Sequence, residues 1–168
     1  MSSAPAPNSA DATPVVAHGT DAFQSTLEGL MADREARTGS RFLFHGGARE
    51  QRQQALGTLT RYVTGTVHQF QVPSLLNERR MQTQNNLRKA FDHAAEESAL
   101  LYFDKADSLF THTHTDTPPD DSDERAPSTL EYFFDRVAAY AGVVVLGLQR
   151  KRHMEEAQDR VHMVVTFE

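Results

Sequence analysis

The stretch Leu100–Asp104, four consecutive apolar residues followed by a carboxylate, constrains the fold of this chain most strongly. An apolar run of this length without alternation is typical of a strand buried on both faces, as in parallel sheets covered by helices. A second such run, Val143–Leu148, contains no polar side chain. Ligands of open α/β sheets gather at the carboxyl ends of the strands. The two runs therefore predict central parallel strands, with Asp104 at the edge of the sheet where ligands bind.

Strand and helix patterns alternate around these two runs. Further strand patterns cover residues 41–45, 66–72 and 162–167, and helix patterns cover residues 21–37, 50–63, 78–97, 128–140 and 155–159. Strands that alternate with helices favour right-handed βαβ units and a parallel sheet. We therefore predict an α/β fold, a three-layer α/β/α sandwich with a five-stranded parallel sheet.

The N-terminal segment of the chain differs in composition from the rest. Residues 1–18 are rich in Ser, Ala and Pro without any period, which is typical of a disordered N-terminal tail. Residues 19–168 have the length of one domain and are expected to form a single α/β core. Residues 108–127 read as a polar, acidic loop within that core.

Composition excludes several classes of function. The sequence has no cysteine, which excludes disulfides, thiolate metal sites and cysteine nucleophiles. The net charge of −6 gives no reason to expect binding to nucleic acid or to an anionic membrane. No apolar run approaches the ~18 residues of a membrane span, and the N-terminus lacks the pattern of a signal peptide. We therefore expect a cytoplasmic protein that is not bound to a membrane.

Residues 87–110, with the sequence LRKAFDHAAEESALLYFDKADSLF, closely resemble the core of the AAA+ ATPases. In that family a helix is followed by four apolar residues, Asp-Glu, Ala-Asp and Leu-Phe. Residues 130–160 continue the resemblance with a helix, a Tyr-x-Gly turn, a Val-rich strand, a polar position, Glu-Ala and an Arg. The resemblance implies a P-loop NTPase fold with strand order 5-1-4-3-2. It also implies that ATP and Mg²⁺ are bound between subunits of a ring, with hydrolysis moving a partner macromolecule.

The phosphate loop of that family, G-x-x-x-x-G-K-[ST], aligns with residues 46–53, and the match is partial. Gln51 replaces the second glycine, whose backbone lets N–H groups close over phosphate. Arg52 replaces the lysine with a wide planar guanidinium, and Gln53 replaces the hydroxyl that binds Mg²⁺. The positions that the resemblance implies for nucleotide binding are Gly46, Gly47, Arg52 and Gln53.

The remaining functional positions are also altered. Asp104 matches the carboxylate that holds Mg²⁺ in P-loop enzymes, although an ion pair with Lys105 or Arg52 is the alternative. Lys105 stands where the family has the Glu that activates water, and a protonated Lys cannot accept a proton. Gln149 matches the sensor position, and Arg160 matches the region that supplies an arginine finger in trans. Because the chain ends at Glu168, we expect a core without the family's small helical lid.

Three functions follow from these observations. The first is a degenerate AAA+-like domain, a pseudo-ATPase with weak or no hydrolysis that acts by interaction with a protein partner or a ring subunit. The alternative is a working ATPase with altered Walker motifs, in which ATP and Mg²⁺ are the cofactors. A weaker third reading is a divalent metal site in the acidic loop, where imidazole and carboxylate are suitable ligands. Its candidate residues are His112, His114, Asp116, Asp120, Asp121 and Asp123.

Overall fold

The computed structural model describes residues 13–33, 39–63, 66–115 and 128–167. Within these residues the strands are β1 (Val15–Ala17), β2 (Ser40–His45), β3 (Val67–Gln71), β4 (Leu100–Asp104), β5 (Val143–Leu148) and β6 (Met163–Thr166). The helices are α1 (Asp21–Ala32), α2 (Arg49–Thr60), α3 (Val72–Leu75), α4 (Arg80–Glu97), α5 (Ser108–Thr111), α6 (Thr129–Ala139) and α7 (Lys151–Ala157). A 3₁₀ turn, Gln158–Arg160, leads from α7 to β6.

The strands form one parallel sheet in the order β1-β6-β2-β5-β4-β3. The five strands predicted from the sequence are β2 to β6, and their order confirms the expected 5-1-4-3-2. The sheet has a sixth strand because Val15–Ala17 pairs with Val164–Thr166 at the edge beside β6. These three residues were expected in the disordered tail, and that expectation is wrong for them. Residues 1–12 lie outside the described part of the chain.

Helices cover both faces of the sheet, which confirms the three-layer α/β/α class. Because strand side chains alternate between faces, each strand contributes to both cores. On one face, α1 and α2 pack through Phe23, Leu27, Met31, Ala55, Leu56 and Leu59. On the other face, α4, α6 and α7 pack through Leu87, Phe91, Ala94, Phe133, Phe134, Val137, Met154 and Ala157. β4 and β5 are buried along their whole length, as their apolar sequences predicted.

Some element boundaries differ from the prediction. Helix α7 begins at Lys151, although the sequence pattern predicted a start at residue 155. β3 ends at Gln71, and the single turn α3 follows because Pro73 fits the first turn of a helix. The predicted loop of residues 108–127 contains helix α5, and residues 116–127 are outside the described part. Helix α6 begins with the capping box Ser128–Glu131, as predicted.

No helix among the described residues combines the length and the apolar character needed to cross a membrane.

Candidate functional site

The first turn of the βαβ unit, between β2 and α2, is shorter than a phosphate loop. Gly46 and Gly47 have φ angles of 77° and 80°, which a residue with a side chain rarely adopts. Helix α2 begins directly afterwards at Arg49, so residues 49–53, which align with the second half of the phosphate loop, are helical. The turn therefore consists of three residues, 46–48. A turn of this length cannot wrap around a phosphate in the way that an eight-residue loop does.

Groups of the protein itself already satisfy part of this turn. The N–H of Gly46 donates to the carbonyl oxygen of Leu148 at 3.0 Å, and the N–H of Ala48 donates to Oε1 of Gln51 at 2.9 Å. The Phe167 side chain packs so closely that a Cβ on Gly47 would lie 2.4 Å from the Cβ of Phe167. An anion at this turn needs free N–H groups. Two of the N–H groups that could bind one are therefore engaged within the chain.

Arg52 links the turn to the end of β4. Its guanidinium donates from Nη1 to the carbonyl oxygen of Gly47 at 2.5 Å and from Nε to the Tyr102 hydroxyl at 3.2 Å. Its Nη2 lies 3.8 Å from Oδ1 of Asp104. With 9% of the residue exposed, Arg52 is directed into the protein. Arg52, which aligns with the phosphate-binding lysine of the family that the chain resembles, is therefore an internal counter-charge of Asp104.

Asp104 lies at the carboxyl end of β4, as predicted, and it is 8% exposed. Its Oδ1 accepts hydrogen bonds from the Tyr102 hydroxyl at 3.2 Å and from the Lys105 N–H at 3.0 Å. Its Oδ2 accepts one from Nε2 of Gln71 at 3.4 Å, because Gln71 is the register partner of Asp104 on β3. Of the two roles that the sequence left open for this carboxylate, the ion pair with Arg52 is present.

Tyr102 is part of the same buried network. Burial, followed by the nearby Asp104 carboxylate, raises the pKa of Tyr102 to about 12. The phenol therefore stays protonated at neutral pH and donates a hydrogen bond to Oδ1 of Asp104. Gly147 on β5 makes room for this pair, since a Cβ there would lie 3.0 Å from Oδ1 of Asp104 and 3.1 Å from the Tyr102 oxygen.

Lys105 adopts a left-handed backbone conformation, with φ at 56°, and is exposed. Its contact with Asp104 is made by the backbone N–H. A lysine ammonium carries three donors and no acceptor. Lys105 aligns with the Glu that activates water in the family that the chain resembles, and as an ammonium it offers no lone pair to water.

Gln53 is engaged with β3. Its side-chain amide exchanges hydrogen bonds with that of Gln69, at 3.0 Å from Nε2 of Gln53 to Oε1 of Gln69 and 3.3 Å in the reverse direction. The structure thus brings Gly46, Gly47, Arg52 and Asp104 into one contiguous cluster. It pairs Gln53 with Gln69 beside that cluster.

Gln149 follows β5 at the same edge of the sheet and is exposed. Its N–H donates to Oδ1 of Asp107 at 2.8 Å, and the N–H of Arg150 donates to Oδ2 at 3.0 Å. Nδ1 of His153 also lies 2.8 Å from Oδ2. Burial opposes ionisation of Asp107, but these partners outweigh it and lower the pKa of Asp107. Asp107 therefore clamps the turn after β4 to the start of α7.

Arg160 lies at the other end of the sheet, just before β6. Its guanidinium carbon is 4.7 Å from the centre of the Phe134 ring, and its carbonyl oxygen accepts from Nε of Arg41 at 3.2 Å. It borders a cavity of about 370 Å³ that Phe134, Arg41 and His162 also line. Because Asp104 is at the carboxyl end of the strands, Arg160 cannot complete the site of its own chain.

The described residues of the predicted metal loop are engaged with the protein. Nε2 of His112 and Nδ1 of His114 lie 2.8 Å and 3.1 Å from the carbonyl oxygen of Asn77. Nε2 of His114 lies 2.6 Å from the Thr129 hydroxyl. The acidic members of that set, Asp116, Asp120, Asp121 and Asp123, lie outside the described residues.

The roles of Tyr102, Gln51 and Asp107 in this region were not predicted from the sequence. Strand alternation could have identified Tyr102, since residues two apart on β4 share a face with α2. The spacing of Gln51 after the turn is that of a residue that caps a helix start. The partners of Asp107 follow β5, so no local pattern could indicate them.

Comparison with known proteins agrees with the fold. The crystal structure of the FIGL-1 AAA domain in complex with ADP superposes with a TM-score of 0.59 at 16% sequence identity. The match covers 88% of this chain and 52% of that chain, so the chain spans about half the length of the solved structure. No protein-family profile and no curated protein matches the sequence. The chain therefore has the α/β fold of an AAA+ ATPase core, as the resemblance implied.

Proposed function

We propose that this chain is a degenerate AAA+-like domain, with weak or no ATP hydrolysis, that acts as an interaction or assembly subunit. The observation that carries the proposal is the contact of Arg52 with Asp104 and with the Gly47 carbonyl oxygen. In the family that the chain resembles, the corresponding groups bind phosphate and Mg²⁺. In this chain the Arg52 guanidinium and the Asp104 carboxylate contact each other.

This pairing opposes nucleotide binding. To reach Asp104, Mg²⁺ must displace the guanidinium and the hydrogen bonds from Tyr102 and Gln71. These contacts must be broken before Mg²⁺ can bind Asp104, which lowers the affinity for the ion. Phosphate must also compete with Leu148 and Gln51 for the N–H groups of the turn.

The chemical step is opposed as well. A general base contributes about 10²- to 10⁴-fold to a rate of this kind. Lys105 stands at the position of that base and cannot accept a proton from water while it is an ammonium. The fold is thus retained without the groups that the chemistry needs. By analogy with the family, the role left to such a domain is docking onto an active ATPase or onto another subunit of an assembly.

A radiometric ATPase assay tests the proposal. The wild-type chain and Asp104→Asn are compared at the same concentration, and circular dichroism checks that both are folded. We expect phosphate release at the background rate, with no difference between the two. Turnover in the wild type that is lost in Asp104→Asn would refute the proposal.

The second candidate function is an ATPase with altered Walker motifs. It is favoured by the convergence of Gly46, Gly47, Arg52 and Asp104 at the carboxyl edge of the sheet, and by ADP in the structure of the FIGL-1 AAA domain. In this function Arg52 leaves Asp104 when ATP and Mg²⁺ enter and then binds phosphate. Saturable, Mg²⁺-dependent ATP binding that Arg52→Ala abolishes, together with turnover that requires Asp104, would establish it.

A further inference from the structure

Two histidines and a glutamate meet at the far end of the sheet from Asp104. They are His68, near the start of the edge strand β3, and His93 and Glu97, one turn apart at the end of α4. One ligand atom from each residue lies within 4.8 Å of the others. We propose that this cluster, the His68–His93–Glu97 cluster, is a binding site for Zn²⁺ or a similar divalent transition metal.

The distances fit a single ion. Nε2 of His68 lies 2.9 Å from Oε1 of Glu97, and Nε2 of His93 lies 3.7 Å from Oε2 of the same carboxylate. Ligands about 2.1 Å from a tetrahedral zinc are about 3.4 Å from one another, which falls between these two values. The two imidazole centres are 5.1 Å apart. The two imidazoles contact different oxygens of the Glu97 carboxylate, so a small rotation of the exposed His93 side chain is needed to bring one atom of each residue onto one ion.

The chemistry of the donor set also fits. Two imidazoles and one carboxylate form a set that Zn²⁺ accepts, with water in the fourth position. Glu97 supplies the third donor, and its carboxyl group lies within hydrogen-bonding distance of the His68 ring and the Thr66 hydroxyl. A carboxylate is the form that binds a metal.

A second contact orients the carboxylate. The Thr66 hydroxyl donates to Oε1 of Glu97 at 2.9 Å. Such hydrogen bonds to a ligand group fix its direction before the metal arrives. His68 is also held in place, since its side chain is 14% exposed. The side chain of His93 is 63% exposed, so a metal ion can reach the cluster from solvent on that side.

A metal at this site would link the edge strand β3 to helix α4. β3 is the last strand of the sheet and pairs only with β4 among the described strands. A metal bound by His68 of β3 and by two residues of α4 fixes this edge strand to the helix that covers it. Metal binding then stabilises the fold by mass action.

Titration calorimetry with ZnCl₂ on the metal-free chain tests the inference. We expect one Zn²⁺ per chain and an affinity that falls about tenfold or more in His93→Ala and in Glu97→Gln. His93 is exposed, so its removal takes no contact from the core. Co²⁺ should give the visible absorption of a four-coordinate ion in the wild type and lose it in both variants.

The matched control is the double variant His112→Ala/His114→Ala, which removes another close pair of imidazoles in the described chain. It should bind Zn²⁺ as the wild type does. The inference is overturned by an absence of saturable binding to the wild type, by unchanged affinity in His93→Ala, or by loss of binding in the control. None of these results bears on ATP, so the test is independent of the function proposed above.

Discussion

At the scale of single residues, the direction of the Arg52 side chain determines which groups of the site are already bonded within the chain. Arg52 follows a helix start that lies closer to β2 than in a phosphate loop, and its side chain therefore reaches Asp104 and the Gly47 carbonyl oxygen. An arginine offers five donors in a planar arrangement, enough to contact the turn, Tyr102 and Asp104 together. Lysine, with a single charged nitrogen, could not span these three partners.

This arrangement makes a prediction about stability. Arg52→Met leaves Asp104 buried without a counter-charge, and we expect the free energy of unfolding in urea to fall by about 3 kcal/mol. The double variant Arg52→Met/Asp104→Asn should recover a large part of this loss, because the unpaired charge is then gone.

The control for that prediction is Arg49→Met, on the exposed side of the first turn of the same helix. It should change the free energy of unfolding by no more than about 0.5 kcal/mol. If Arg52→Met were as mild as Arg49→Met, Arg52 would not be the counter-charge of Asp104.

At the scale of elements, the turns after β4 and β5 are joined by one carboxylate. The Asp107 carboxylate accepts hydrogen bonds from the backbone N–H groups of Gln149 and Arg150, and its Oδ2 lies 2.8 Å from Nδ1 of His153. It thus orients the start of α7 and places Gln149 beside the end of β4. These hydrogen bonds of Asp107 therefore position Gln149, the residue that aligns with the sensor, at the carboxyl edge of the sheet.

The Asp107 clamp predicts a pH dependence. The pKa of Asp107 is lower in the folded chain than its ordinary value of 3.8, so its stabilisation is present above about pH 4 and is lost as the pH falls through the folded pKa. At pH 7, Asp107→Asn should lower the free energy of unfolding by about 1–3 kcal/mol. The gap to the wild type should narrow as urea unfolding is repeated at increasingly acidic pH.

Asp135→Asn, at an exposed position of α6, is the matched control and should stay within about 0.5 kcal/mol of the wild type. A gap between Asp107→Asn and the wild type that widens in acid would contradict a folded-state pKa below 3.8 for Asp107.

At the scale of the whole molecule, the α/β class and five of the six described strands could be predicted from the sequence. The apolar runs of β4 and β5 identified the centre of the sheet, because strands buried on both faces tolerate few polar residues. The strand order came from resemblance and agrees with the pairings. Strand β1 was missed, since its three residues carry no pattern that separates them from the Pro- and Ala-rich segment before them.

The residues of the site could be predicted from the sequence, but their contacts could be predicted only in part. Asp104 at a strand end and Gly46-Gly47 in the turn follow from local patterns. The start of α2 at Arg49 also lies within one residue of the predicted start. The direction of Arg52 does not follow from local patterns, because it depends on partners distant in sequence, Tyr102 and Asp104. The Arg52–Asp104 pair was one of two alternatives from the sequence, and only the packed sheet could decide between them.

The N–H groups of Gly46 and Ala48 bond within the chain, and we propose that they do not bind phosphate. Titration of the ¹⁵N-labelled chain with MgATP, followed through the amide resonances of Gly46 and Ala48, tests it most directly, with Gly57 on the exposed side of α2 as the reference. We expect the Gly46 and Ala48 resonances to move no more than that of Gly57. Saturable shifts of both, with Gly57 unchanged, would contradict it.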